Sequence, residues 1–483
     1  MNSTAKTTKL TRKTPRWALR LGSLMAALAV VLPSSLAPAT AVEFSSEPSG
    51  TLVNPSATGT TCPTLSSIRP LEVWYNLDDM NVRGFADPGD QDPWPYMVKT
   101  AQVICGAAQG SKIRVGMFFI RAIGTMISET NLGTRPESDP EVVYRALEWV
   151  HKNRGVTIQI VLESKPTPAS AKAQIVKRLV TPGIATLVSC SYGCFNTASP
   201  ATFPYAINHE KIIAINHTVW GKSDANSGSD DSVMLASSGN WARSQTRYYW
   251  QESTLVWGDA KLHQLFADRF DAMRICGQTN CSTKSGFAGQ QAALVKQRGI
   301  WVDPVYNHGT SPDRGTFVSF APAPTSMRDY YVQALDKVDC VVENKVRVAM
   351  FRMTDEASKK ILSAMTRLKN QGCSIKVILT TPVGGYSVSS YIKDRMSAAG
   401  IPLRCSKVPI HTKLVLIGSA TGNEAKMVVS TATMSVISLT QSDEHTTTFD
   451  STRATGTYAE AIRRAYGEYA TGWDSIWRET TGC

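Results

Sequence analysis

Histidine is scarce in this chain, seven residues in 483, so two histidines in matched surroundings stand out. Beyond residue 41 no apolar run approaches the length of a membrane-spanning helix, which excludes an enzyme built on transmembrane helices. No Cys-x2-Cys pair is matched by a second one, so the usual spacing of a structural zinc site is missing. Charge of one sign is in only mild excess.

The start of the chain differs from the rest. Lys6, Lys9, Arg12, Lys13, Arg16 and Arg20 make a basic opening, Leu21 to Leu32 is mostly apolar, and Ala39-Thr40-Ala41 has the small residues of a cleavage site. Residues 1–41 therefore read as a secretory signal peptide cleaved near Ala41, too short and wrongly flanked for an anchor. A soluble, secreted, monomeric mature protein is the expectation. Six of the 51 basic residues and none of the 39 acidic ones lie in that leader, leaving 45 against 39, a net of +6. That balance suits anionic phosphates or a membrane surface touched in passing, and it does not demand nucleic acid.

All ten cysteines (Cys62, Cys105, Cys190, Cys194, Cys276, Cys281, Cys340, Cys373, Cys405 and Cys483) follow the cleavage site. An even count in an exported chain predicts disulfides. Spacing does not fix the connectivity, although Cys190 with Cys194 and Cys276 with Cys281 read as short loops.

The mature chain repeats itself. Lys112-Ile113-Arg114-Val115-Gly116-Met117-Phe118 matches Lys345-Val346-Arg347-Val348-Ala349-Met350-Phe351, each a strand by its β-branched, apolar composition. Helical patterns follow over Glu141 to His151 and Glu356 to Leu368. Both end in similar turns, Lys152-Asn153-Arg154-Gly155 and Lys369-Asn370-Gln371-Gly372. Strands over Thr157 to Leu162 and Ser374 to Leu379, second helices, and short strands to Cys190 and Cys405 come next. Each half closes with a strand and a helix, Leu262 to Met273 and Tyr458 to Trp473. This order predicts two tandem homologous α/β/α repeats with mixed sheets, packed as a pseudo-two-fold bilobal body with the active site at their interface. The expected boundaries are 42–70 for an extended N-terminal segment, 71–275 for the first repeat, 276–326 for a linker and 327–483 for the second repeat.

Both scarce histidines fall in the same frame of this repeat. Asn208-His209-Glu210-Lys211-Ile212-Ile213 and Ile410-His411-Thr412-Lys413-Leu414-Val415 each put a histidine and a lysine on one face of a strand, ahead of a buried apolar run. A lone His-x-Lys means little; two at equivalent repeat positions, each followed by hydroxyls and a carboxylate, do not read as coincidence. The following segments are Ser237-Ser238-Gly239-Asn240-Trp241 with Glu252 beyond, and Ser430-Thr431-Ala432-Thr433-Met434 with Glu444 beyond. A phosphodiester needs a nucleophile, an acid for the leaving alcohol and cations for the charge on the non-bridging oxygens. Two imidazoles and two ammonium groups supply all three, with no cofactor or metal called for.

At these residues the chain resembles the phospholipase D superfamily, whose signature is His-x-Lys-x4-Asp followed by Gly-Ser-x-Asn. The resemblance covers both repeats. It implies that His209, Lys211, His411 and Lys413 are catalytic, and that Ser238, Asn240, Thr431 and Thr433 bind substrate phosphate. It also implies that Glu252 and Glu444 orient the histidines, and that the reaction passes through a phosphohistidine. His209 is the expected nucleophile, because its half keeps the fuller motif, and His411 the acid. The sequence departs from the signature at its Asp, which is Asn216 and Gly418, at the glycine before the serine, which is Ser237 and Ser430, and at the second asparagine, which is Thr433.

Three readings follow. One is a secreted phosphodiesterase acting on glycerophospholipids by hydrolysis or transfer. Another is a nuclease of the same superfamily. The third is a catalytically reduced protein that binds phosphate-bearing surfaces. A segment between Cys194 and Tyr205, extra to the first repeat, lines the site or is a plain surface excursion. Trp241 is a candidate for the pocket wall, Trp149, Trp257 and Trp473 for the core, and Asp78, Asp79 and Asp90 for an acidic loop.

Overall fold

A computed structural model describes residues 62, 65, 68–75, 95–120, 140–164, 169–195, 207–220, 231–242, 249–279, 314–321, 330–380, 387–406, 408–419 and 422–483. Pro48–Cys483 forms one compact unit. The leader, the acidic residues Asp78, Asp79 and Asp90, Cys281 and most of the extra segment before His209 lie outside the described residues.

Two mixed sheets carry the fold. The first has seven strands: β1 (Leu71–Tyr75), β2 (Lys112–Met117), β3 (Thr157–Glu163), β4 (Ala185–Cys190), β5 (Lys211–Ile215), β6 (Val233–Ser237) and β7 (Glu252–Trp257), in the order β1-β7-β6-β5-β2-β3-β4. The second has eight: β8 (Arg314–Ala321), β9 (Lys345–Met350), β10 (Ser374–Thr380), β11 (Leu403–Ser406), β12 (Lys413–Gly418), β13 (Ala425–Ser430), β14 (Glu444–Ala454) and β15 (Thr481–Gly482), ordered β15-β11-β10-β9-β12-β13-β14-β8. In each, three strands run parallel and the rest antiparallel, so β2 to β7 map one by one onto β9 to β14.

One expected boundary gives way. Arg314–Ala321 falls within the supposed linker 276–326, yet it pairs with β14 as β1 pairs with β7 and so belongs to the second lobe. Its Gly, Pro and Ser neighbours masked a strand that begins each repeat on the far edge of its own sheet.

The matched helices run over Glu141–Arg154 and Asp355–Asn370, slightly beyond their expected ends. Gly155 closes the first in the left-handed region, at φ 61°, where a Cβ would be strained. Separate apolar cores fill the outer half of each lobe, and a third core lies between the sheets, from Ile212 and Trp250 to Leu414 and Tyr469. The closing helices, Ala260–Thr279 and Gly456–Glu479, pack into this middle layer. Gly472 lets the second one approach the first lobe: a Cβ there would lie 2.2 Å from the Tyr75 ring. Among the described residues no helix is long and apolar enough to cross a membrane.

Disulfides join Cys62 to Cys105, Cys190 to Cys194, Cys340 to Cys373 and Cys405 to Cys483. Cys276 is disulfide-bonded as well, and no described cysteine is free.

Candidate active site

Each His-x-Lys segment enters a central strand from the interface. Lys211 opens β5 and Lys413 opens β12, opposite Met117 and Met350 at the ends of β2 and β9. Two isolated parallel bridges cross between the lobes, Asn208 with Asp443 and Trp250 with Ile410. Through them the His209 N–H donates to the Asp443 carbonyl at 2.9 Å and the His411 N–H to the Trp250 carbonyl at 2.8 Å. Each histidine is thereby laced to the segment that leads into the last strand of the opposite lobe.

The rings face each other with centroids 6.1 Å apart and planes at 73°. A near-attack contact is about 3 to 3.5 Å, so a gap of this size suits one tetrahedral phosphate between them. His209 Nδ1 lies 2.9 Å from Glu444 Oε2 and 3.1 Å from the Thr431 carbonyl. His411 Nδ1 lies 2.8 Å from the Ser238 carbonyl and 3.2 Å from Gln251 Oε1. A carbonyl can only accept, which favours hydrogen on Nδ1 of both rings and leaves Nε2 to react, although at His411 the Lys413 Nζ also lies 3.1 Å from Nδ1. Lys211 and Lys413 each donate to the carbonyl of their own histidine, at 2.7 and 2.6 Å. Phe118 and Phe351, the last residues of the repeated strand motif, stand edge-on to His209 and His411 at 4.8 and 4.9 Å.

Residues 110–274 match a family model described as "Cardiolipin synthase, PLD-like domain". The first lobe is a phospholipase D-like domain. The fold of the whole chain is similar to that of phosphatidylserine synthase from Haemophilus influenzae, at 9% identity over 85% of this chain and 87% of that one, TM-score 0.52. It is also similar to yeast tyrosyl-DNA phosphodiesterase, at 10% identity over 79% of this chain and 91% of that one, TM-score 0.44. The phospholipase D family member Nuc from Salmonella typhimurium matches at 16% identity over 34% of this chain and 95% of that one, TM-score 0.27. No protein of curated function matches the sequence.

The structure departs from the sequence reading of these residues at three places. First, Glu252 does not orient a histidine. The Ser238 and Thr431 N–H groups donate to the Glu252 and His445 carbonyls respectively, so Glu252 is the counterpart of His445 and Gln251 that of Glu444. Counting from Asn240 and Thr433 put the frame off by one, and one residue along a strand turns a side chain to the other face. Glu252 instead accepts the Lys413 backbone N–H at 3.2 Å.

Second, the hydroxyls of Ser238 and Thr431 are spent inside the fold. They accept the backbone N–H of Glu252 and His445, each at 3.0 Å, and it is their carbonyls that reach the histidines. The Thr433 hydroxyl bonds Ser435 and Ser438, at 3.1 and 2.9 Å. Asn240 sits buried at the same turn. Ser237 and Ser430, in place of the signature glycine, close that turn by accepting the Gly239 and Ala432 N–H groups, both at 2.9 Å.

Third, the missing signature Asp is a matter of the sheet's far end. At a rise of about 3.3 Å per residue, Asn216 lies roughly 23 Å along from His209. Its Oδ1 accepts the Lys112 N–H at 2.6 Å, a bond an Asp could also make. At Gly418 the space is occupied, since a Cβ would fall 2.5 Å from the Tyr466 hydroxyl oxygen. Neither departure touches the reacting groups. Trp241, a sequence candidate for the pocket wall, is fully buried in the core of the first lobe, whereas Tyr249 stands 6.1 Å from His411.

The site is buried and strongly cationic. Lys211 and Lys413 are 1% and 0% exposed. Burial lowers both, Lys413 to about 8. Burial, then the two lysines, also holds His209 and His411 well below the ordinary histidine range. Burial pushes Glu444 up to about 8 against the pull of Lys211. An anion seated among these groups offsets the lysine contribution, which favours a second proton on one ring of the pair. Beside His411, Phe351 also lines a cavity of about 340 Å³ with Arg352, Thr354, Asp355, Thr380 and Ser389.

Proposed function

We propose that the protein is an exported phosphodiesterase of phospholipase D type that hydrolyses glycerophospholipids, or transfers their phosphatidyl group, through a phosphohistidine. The observation that carries this is the facing histidine pair, each Nδ1 fixed by acceptors from the opposite lobe and each backed by a lysine. The two partners are not equivalent. The Glu444 carboxylate can stabilise a cationic ring on His209, whereas the Gln251 amide leaves His411 readier to release a proton.

In the first step His209 Nε2 attacks phosphorus, the bond to the leaving oxygen breaks, and the proton on His411 Nε2 passes to that oxygen. Lys211 and Lys413 offset the charge on the non-bridging oxygens. Water or an alcohol then attacks, gives its proton to His411, and frees His209. In this reading the cavity beside His411 receives the leaving alcohol. The leader, the paired cysteines and the mild net charge support export and a lipid surface over a nucleic acid.

The test is headgroup release from mixed phospholipid vesicles in the presence of EDTA, beside His209→Ala. Release by the wild type alone supports the reading. Silence from the wild type on vesicles with cleavage of DNA, losing affinity steeply with salt, would replace it with the nuclease.

A further inference from the structure

Glu210 lies between the histidine and lysine of the first strand, and strand alternation turns it to the face away from the site. It is fully buried, and so is His445, the residue after Glu444. His445 Nδ1 hydrogen-bonds Glu210 Oε2. The segments 208–211 and 443–445 are thus joined on both faces by a histidine–glutamate couple. His209 with Glu444 points into the site, and Glu210 with His445, in the reverse sense, points away. Arg269, from helix Ala260–Thr279, stands behind the second couple with Nε 3.9 Å from Glu210 and its guanidinium 4.1 Å from the Phe195 ring centre. Phe266 closes over His445 at 5.1 Å. Across the pseudo-two-fold the matching residues are Thr412 and Glu252, so this couple exists only on the side of His209.

We infer that Glu210 and His445 are positioning residues that hold Glu444 against His209 Nδ1 and so make His209, not His411, the nucleophile; the inference rests on the phosphohistidine reading above. Glu444 and His445 are consecutive, and any slide or roll of this stretch that releases Glu444 also leaves Glu210 buried without its partner. An unpartnered buried carboxylate is costly, so the outer couple locks the inner one. Glu210 does a second thing. The groups facing it are His445 and Glu444 from β14, the latter repelled by its charge, Arg269 from the helix behind and Lys211 from its own strand. Its negative charge supports the protonated form of Lys211 and of His209.

The experiment uses the full mature chain with His445→Asn, which keeps a donor in the place of Nδ1, His445→Leu, which keeps bulk alone, and Glu210→Gln. Turnover of bis(p-nitrophenyl) phosphate, phosphohistidine after rapid quenching, and the ring ¹⁵N resonances of His209 against pH are recorded. For His445→Leu the expectation is a kcat loss of about 100-fold with KM within about twofold, the size of effect a small misplacement causes. Its His209 resonances move toward averaged tautomers, while His445→Asn stays near wild type in both readouts. Glu210→Gln moves the alkaline limb of the profile to lower pH, because Lys211 loses its negative neighbour. Unmoved His209 resonances and kcat in a folded His445→Leu protein would overturn the inference, and so would equal losses in the Asn and Leu variants. If His445→Leu does not fold, the isosteric Glu210→Gln decides by the same resonances. If the wild type forms no phosphohistidine, the proposed activity falls while the ring resonances still decide the positioning.

Discussion

Glu444→Gln tests the site at its most informative bond. Glu444 Oε2 is 2.9 Å from His209 Nδ1, which puts the carboxylate about 4 Å from the centre of charge of the ring. In the proposed reaction that ring turns cationic when Nε2 bonds phosphorus. At an effective dielectric near 20, opposite charges at about 4 Å interact by about 4 kcal/mol. Glutamine preserves the shape and removes the charge, so phosphohistidine formation should slow by roughly 10³-fold. The assay is the p-nitrophenolate burst from p-nitrophenyl phosphocholine at saturating substrate, in a rapid-quench instrument, over a pH series. The carboxylate, pushed up to about 8, is protonated below that pH and charged above it. The wild-type burst rate should therefore climb as pH rises toward 8, and the variant should lack the climb. A folded Glu444→Gln protein within about fivefold of the wild type at every pH would refute the assignment of His209 as the cationic intermediate.

His411→Ala should still form phosphohistidine from p-nitrophenyl esters, whose leaving group needs no acid, and should fail with natural phospholipids; equal rates on both substrate types would remove His411 from the acid role. Lys413, lowered by burial to about 8, loses its charge as pH rises through that value. Inorganic phosphate should therefore bind progressively more weakly above pH 8 by titration calorimetry, and affinity that holds to pH 10 would contradict it. The Cys405–Cys483 bridge spans 78 residues, and removing it by paired serine substitutions should lower the unfolding free energy by roughly 4 kcal/mol in urea.

Much of the two-lobed plan is legible in the sequence because it is written twice. Lys112 to Phe118 and Lys345 to Phe351 align residue for residue, and both fold into central strands. The His-x-Lys pairs are legible for the same reason. The orienting groups are not. Which of Gln251, Glu252, Asp443 and Glu444 reaches a histidine depends on a cross-lobe bridge between segments more than 200 residues apart, Asn208 with Asp443, and on its register to a single residue. No local spacing encodes that register. Edge strand β8 escapes for a different reason: it opens its repeat among turn-forming residues and is identified by its pairing with β14, as β1 pairs with β7. Phe118 and Phe351 read as apolar strand residues, and it is the pairing of β2 with β5 and of β9 with β12 that sets each against the histidine of its own lobe.

The crossing of partners has a consequence for how the chain folds. Each histidine takes its Nδ1 acceptors from the other lobe, so a chain with one lobe folded, or with two lobes folded and not yet docked, has neither ring held in one tautomer. The paired site is then the last feature the chain completes. Until the lobes dock, the two halves of the site stay apart and the pair of rings has no fixed orientation.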